Sequence, residues 1–352
     1  MAPIDKVDEV EEVIQAGAEE LYCGVLWEEW LKRYTIAAIN RRVELAANLK
    51  SFGELKKCRD IAHSHGVPLC LTINEHYYTQ EQYPFLLQYI QKAVDAGVDS
   101  FLVSDLALLL TLKEKRIDIP IHISTGGTTF NSETAKFYQN LGATRVTLPR
   151  HLTIGEIEHI IKEVPDLETT AFVLNSRCAN VDGLCTFDHT PFKCPEPEKL
   201  LGKERVKAFS PHALSRDVLA TGACMLPYTV AFVPSESAKR ASEGERKAAL
   251  LRQQVWDRFH IDQSPCGACA LYEFKQMGIT AVKIVGRGNP TKRKIGDIRF
   301  IRTLLSLLEK KGISKGEYRE KARALYRYNY RRPCRTIMCY YPEVMPEEKV
   351  SV

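Results

Sequence analysis

Long hydrophobic runs are missing from this 352-residue chain: the richest stretch, Phe101 to Leu112, is interrupted by Ser104, Asp105 and Thr111 and falls short of the roughly 20 residues that span a bilayer. A transmembrane helix is therefore not expected. No low-complexity tract is present, which argues against wholesale disorder. No GxGxxG opens a strand–helix unit, which disfavours a dinucleotide-binding doubly wound sheet. No Ser/His/Asp order, HExxH or readable Cys–His pair supports hydrolysis. Strong charge of one sign is also lacking, since the net charge is +5, milder than in a dedicated nucleic-acid binder. The opening Met1-Ala2-Pro3-Ile4-Asp5-Lys6 has neither an apolar h-region nor a small-residue cleavage site, so the expected location is cytoplasmic.

What remains is an ordinary globular composition, 45% hydrophobic and 26% charged, in a chain long enough for one large α/β barrel or two smaller domains. Helical and strand patterns alternate. Val7, Val10, Val13 and Ile14 fall at helical spacing, followed by a strand from Glu20 to Val25. Further strands are predicted at Val67 to Asn74, Ser100 to Ser104, Ile119 to Thr125, Thr144 to Pro149, Glu168 to Leu174 and Thr280 to Val285, with helices at Ser51 to His65, Glu81 to Ala96, Glu133 to Leu141, Ile154 to Glu163 and Cys269 to Met277. Such regularity demands a parallel sheet covered by helices. The expected closure is a TIM-like (β/α)8 barrel whose first strand, confined to the residues before Lys6, is a stub. The expected domains are a barrel over 1–176 and 279–312, a Cys-rich cluster-binding insertion over 177–278, between strands seven and eight, and a basic helical C-terminal tail over 313–352.

Barrel enzymes carry their chemistry at the C-terminal ends of the strands. Asn74-Glu75-His76, Ser104-Asp105, Ser124-Thr125, Arg150-His151, Asn175-Ser176 and Gly286-Arg287 all fall there. Arg287, with Lys283 earlier on the same strand, suits a carboxylate or phosphate. Arg150 and Asn175, closing neighbouring strands, are candidates for positioning a substrate. His122 is a candidate for proton transfer, weighed against the commoner role of a satisfied core histidine. The segment from Arg302 to Arg335 holds eleven Lys/Arg against three Asp/Glu, interleaved with Tyr318, Tyr326, Tyr328 and Tyr330. It could attract phosphates and stack bases, or be a solvated helical face.

Of eleven cysteines, Cys23, Cys58 and Cys70 stand singly and read as small core residues. Cys178-x6-Cys185-x8-Cys194 follows strand seven directly and Cys266 begins the helix leading to strand eight, so these four can meet over one barrel mouth. Soft sulfur ligands leave a 4Fe-4S cluster, a zinc ion and unligated thiols all open.

These motifs resemble peptidase family U32, collagenase-like proteins whose relatives include iron–sulfur hydroxylases of tRNA, rRNA and ubiquinone precursors. The resemblance is carried by Ala16-Gly17-Ala18-Glu19-Glu20-Leu21-Tyr22-Cys23-Gly24 for AGADAVYFG, Ile121-His122-Ile123-Ser124-Thr125 for IHAST, Leu148-Pro149-Arg150 for LAR, the Cys178-x6-Cys185 pair, and Lys283-Ile284-Val285-Gly286-Arg287 for KIEGR. It implies a barrel bearing a 4Fe-4S cluster that acts in hydroxylation or related redox chemistry on RNA or a small aromatic molecule. It also implies Cys266, seventeen residues before Lys283, as a ligand in preference to Cys269, and a carboxylate such as prephenate as oxygen donor. Cys224 competes with Cys194 for the third position, and Cys334 and Cys339 fall outside the family pattern. The Glu of KIEGR is Val285 here, which shifts expectation for an acidic catalytic group to Glu75 or Asp105. A peptidase, or a non-catalytic RNA-binding protein with a structural metal and a partner subunit, are the alternative readings.

Overall fold

Runs of branched and aromatic residues alternate along the chain with segments of helical periodicity, and each run pairs in parallel with the one before it. The computed structural model describes residues 1–34, 39–42, 45–175, 178, 181–184, 192–193, 218–219, 242–244, 247, 265–310, 312–335 and 338–345. Cys185, Cys194 and Cys224 lie outside the described residues.

The order is β1 (Ala2–Pro3), α1 (Val10–Gln15), β2 (Leu21–Cys23), α2 (Glu28–Arg33), α3 (Phe52–Ser64), β3 (Leu69–Ile73), α4 (Tyr83–Asp95), β4 (Ser100–Val103), α5 (Leu106–Glu114), β5 (Ile121–Ile123), α6 (Ser132–Asn140), β6 (Arg145–Thr147), α7 (Ile154–Glu163) and β7 (Glu168–Leu174). A short antiparallel pair, β8 (Phe192–Lys193) with β9 (Val218–Leu219), precedes α8 (Leu271–Met277), β10 (Ala281–Ile284), α9 (Thr291–Leu308) and α10 (Lys315–Tyr330). The eight barrel strands form one parallel sheet in the order β1-β2-β3-β4-β5-β6-β7-β10. Met1 closes the ring, donating its amine to the Val282 carbonyl at 2.9 Å and accepting from the Ile284 amide at 3.1 Å. The fold is a TIM-like α/β barrel, and its first strand is the stub expected.

Side chains seal the seam between β1 and β10. The Lys294 ammonium on α9 is buried between the carboxylates of Asp5 and Glu9, the latter at 2.7 Å. Asp5 also accepts from the Gly288 amide, and Glu9 from the Thr291 hydroxyl. At the opposite end of the barrel Arg145 contacts both Glu20 carboxylate oxygens at 2.7 Å. Local capping sets the helices: Asp105, Asn131 and Ser314 accept from the third amide of α5, α6 and α10, and Thr153 with Glu156 forms a full capping box on α7.

The C-terminal segment is built into the fold. Tyr318 and Tyr326 of α10 are buried, and the Tyr318 hydroxyl donates to Ala268 O. Beyond the helix, Cys266 bridges both Leu174 and Cys339, and the Tyr341 hydroxyl donates to Phe172 O at 3.0 Å. The segment thus adds a layer beside the C-terminal end of β7. Cys23, Cys58 and Cys70 are fully buried free thiols.

Candidate active site at the barrel mouth

Alternation along the strands aims Tyr22, Cys70, Leu102, His122, Thr170 and Lys283 into the barrel, where a barrel of this class usually stacks branched aliphatic residues. Lys283 is buried, its ammonium 4.3 Å from the centre of the Tyr22 ring. Burial lowers its pKa from 10.5 to about 8, opposed by the nearby Cys70 thiol and reinforced by Arg287. Burial likewise lowers His122 to about 3, aided by Arg145 and Lys283, so its imidazole is neutral at pH 7. His122 Nδ1 and Thr170 Oγ1 are buried with no hydrogen-bond partner among the described residues.

Arg287 stands at the rim above Lys283. Its guanidinium donates to Asn40 O at 2.9 Å and to Asn48 Oδ1 at 3.4 Å. Gly24 lies against it: a side chain there would collide with Arg287, Asn48 and Asn40. The glycine is required by close approach, and the asparagines hold the guanidinium over the mouth. Across the rim, Arg150 contacts both carboxylate oxygens of Asp182 at 2.7 Å and lies 3.8 Å over the Phe172 ring. Burial alone would lower the pKa of Arg150, but Asp182 together with Tyr340 and Cys178 outweighs it and holds the group charged. Arg150 Nε has no partner among the described residues.

The remaining rim candidates divide. Glu75 is half-buried and accepts from the His76 amide at 2.9 Å. Asp105 is occupied structurally, capping α5 and accepting from the Tyr78 amide and Tyr83 hydroxyl. Asn175 adopts a left-handed backbone with φ 64. Its side-chain amide donates to Val285 O and Asp297, while its oxygen accepts from Arg293. Asn175 therefore ties the end of β7 to α9, and Tyr340 donates to its carbonyl. Among the described residues, five non-glycine residues have positive φ; Arg41, Thr128, Asn175 and Arg331 lie toward the strand C-termini and Arg116 toward the other end.

Cys178 follows β7 within electrostatic reach of Arg150, and Cys266 within reach of Tyr340. Burial pushes the Cys266 thiol well up, so it ionises only where a cation compensates it. Cys269, Cys334 and Cys339 lie in the same region. Among the described residues, no group of three or more His, Cys, Asp or Glu is gathered closely enough to hold a metal ion. Asn40, Asn48, Asp182 and Tyr340 are the rim residues the sequence reading missed. Asp182-Gly183 inside the x6 spacer was the available signal, since Gly183 at φ 91 turns the chain against Thr125.

A family model described as Peptidase family U32 matches residues 5–344. A tRNA hydroxylation protein P from Haemophilus influenzae is 29% identical over 185 residues, covering 53% of this chain and 37% of the relative. Its Escherichia coli namesake is 33% identical over 124 residues, 35% of this chain and 27% of the relative. The E. coli 23S rRNA 5-hydroxycytidine C2501 synthase is 26% identical over 181 residues, 51% of this chain and 24% of the relative. The chain thus spans well under half the length of these relatives. Among solved structures, that of the U32 peptidase Mk0906 matches 49% of this chain and 66% of its own at 17% identity and a TM-score of 0.38. No helix among the described residues is long and apolar enough to cross a membrane.

Proposed function

Because the chain belongs to peptidase family U32, we propose that it acts in the hydroxylation of RNA, the reaction for which its tRNA- and rRNA-directed relatives are named. The observation that carries this reading is the convergence of three cations on one mouth: Arg150, paired with Asp182, Arg287, held at the rim by the Asn40 carbonyl, and Lys283, buried beneath it. Such a mouth favours an anionic group. Hydroxylation converts C–H to C–OH, a two-electron oxidation that balances when an oxygen donor gives up one oxygen atom and is itself reduced by those two electrons, and a small carboxylate donor of that kind fits these cations. Arg287, fixed by Asn40 and Asn48, orients the anion; Lys283 neutralises it from below. His122, held neutral by burial and by the cations Arg145 and Lys283, is too weak a base to take up a proton at pH 7 and offers the barrel interior a neutral imidazole instead.

The cofactor we propose is a 4Fe-4S cluster held by Cys178 and Cys266 with thiolates from the intervening segment, for which Cys185 and Cys194 are the candidates. The raised thiol of Cys266 and its position beside the mouth fit a thiolate that needs a metal to ionise. When bound there, such a cluster supplies electron transfer or a Lewis-acidic iron. Anaerobically purified protein is expected to contain stoichiometric iron and sulfide with visible absorbance, and C178S and C266S to lose most of both while keeping the far-ultraviolet circular dichroism of the parent. Stoichiometric zinc without sulfide would refute the cluster. The RNA reading is tested by mass spectrometry of nucleosides from tRNA and rRNA of cells with and without the gene; loss of a hydroxylated nucleoside on deletion is the expected result.

A further inference from the structure

We propose that the C-terminal end of α10 and the turn after it form the surface on which an RNA strand docks beside the barrel mouth, with Tyr328 as a base-stacking platform and Arg327, Arg331 and Arg335 as phosphate contacts. The inference rests on the RNA-directed reading above and names where that substrate is gripped.

Charge is spent differently at the two ends of this helix. Near its start, Lys315 and Arg319 both pair with Glu273, and Lys321 pairs with Glu317. At its end, Arg327, Arg331 and Arg335 are exposed, and none forms an ion pair with a carboxylate among the described residues. The tyrosines divide the same way. Tyr318 and Tyr326 are buried, and Tyr330 donates to Asp297 at 2.6 Å, whereas Tyr328 is 66% exposed with the Arg331 guanidinium 5.0 Å from its ring centre. An exposed aromatic ring under a guanidinium, flanked by unpaired cations, suits single-stranded nucleic acid, since stacking and phosphate attraction are its two main terms.

Topology puts this surface at the functional end of the barrel. Helix α9 starts just after the rim strand β10 and α10 runs back beside it, so Tyr330 meets Asp297, which in turn accepts from Asn175 at the end of β7.

Backbone conformation supplies an independent sign. Arg331 caps α10 at φ 54, its amide donating to Arg327 O. Glycine suits this left-handed position best, and an arginine there is conformationally unfavourable. An arginine at this position, where glycine would be easier, adds a feature at the rim that folding of α10 alone does not ask for.

The test is fluorescence anisotropy of the full chain with a labelled, unmodified tRNA transcript across a salt series, alongside thermal melting. R331G is expected to melt at or above the parental temperature while binding the transcript several-fold more weakly. Y328A is expected to lose about tenfold, with Y328F losing little. R327E/R331E/R335E should lower the slope of log affinity against log salt by about two to three. The charge-matched K113E/K115E/R116E, on exposed sites where α5 ends at the opposite end of the barrel, should lose less than the rim triple. Equal binding by the rim triple and the parent, or equal loss in the two triples, would overturn the docking surface while leaving RNA as substrate. Absence of transcript binding by the parent even at low salt would overturn both.

Discussion

Lys283→Met is expected to make the protein more stable at pH 7, by about 3 kcal/mol, while removing the RNA hydroxylation proposed for it. The lysine is buried over Tyr22 and its pKa falls from 10.5 to about 8 on folding. Between those two values the unfolded chain binds more protons than the folded one, so stability rises with pH across that window. Below pH 8 the folded protein carries the full penalty of a buried ammonium; near pH 10.5 the penalty is gone. Methionine fills a similar volume without the charge. Guanidinium unfolding at pH 7 should therefore place the variant above the parent, and the difference should close as pH approaches 10.5. Parallel curves, or a variant less stable at pH 7, would mean that the ammonium is not buried at a cost. A buried cation that costs stability is a sign of service to a ligand, and the ligand proposed for this barrel is an anion held with Arg287.

Lys294→Met should have the opposite and larger effect on folding. Removing the ammonium strands the carboxylates of Asp5 and Glu9, which are almost fully buried. Breaking a buried ion pair from one side typically costs about 3–5 kcal/mol, which for a chain of 352 residues corresponds to a fall in Tm of about 4–7 °C. The loss falls on the β1–β10 seam, where β1 contributes only Ala2–Pro3 to the sheet. Differential scanning calorimetry of Lys294→Met and of the triple D5N/E9Q/K294M separates the causes: the triple should recover much of the loss because no orphan charge remains. An unchanged Tm in Lys294→Met would show that the seam does not depend on this contact.

Elements with a strong local signal were legible in the sequence. Glu168–Leu174 and Ile154–Glu163 have the bounds expected of them, the first from a seven-residue β-branched and aromatic run and the second from the Thr153/Glu156 capping box. Other strands are one or two residues shorter at one or both ends; at the rim, residues that read as strand are turned out of the sheet, as at Val25, which forms only a bridge to Leu49. Helix α5 was hidden because Leu106-Ala107-Leu108-Leu109-Leu110 continues the apolar run of β4 without amphipathic contrast.

At the site, Lys283 and Arg287 could be read from their spacing along one strand, whereas the groups that orient Arg287 could not. Asn48 and Asn40 lie 239 and 247 residues away in sequence, and no local pattern reports such a contact. Asn175 was read as a substrate group from its place at a strand end; its left-handed backbone turns the amide toward α9 instead. The bridge between Cys266 and Cys339 was equally invisible, being made by two segments that have no periodicity in common.

Whether RNA is hydroxylated at this mouth, as proposed from its arginine and thiolates, is decided by nucleoside mass spectrometry of a deletion strain carrying plasmid-borne variants. The parental gene is expected to restore a tRNA or rRNA nucleoside heavier by one oxygen atom, and R287M and C266S, produced at equal levels, are expected not to. Full restoration by both variants, or an unchanged nucleoside profile on deletion of the gene, would contradict the proposal.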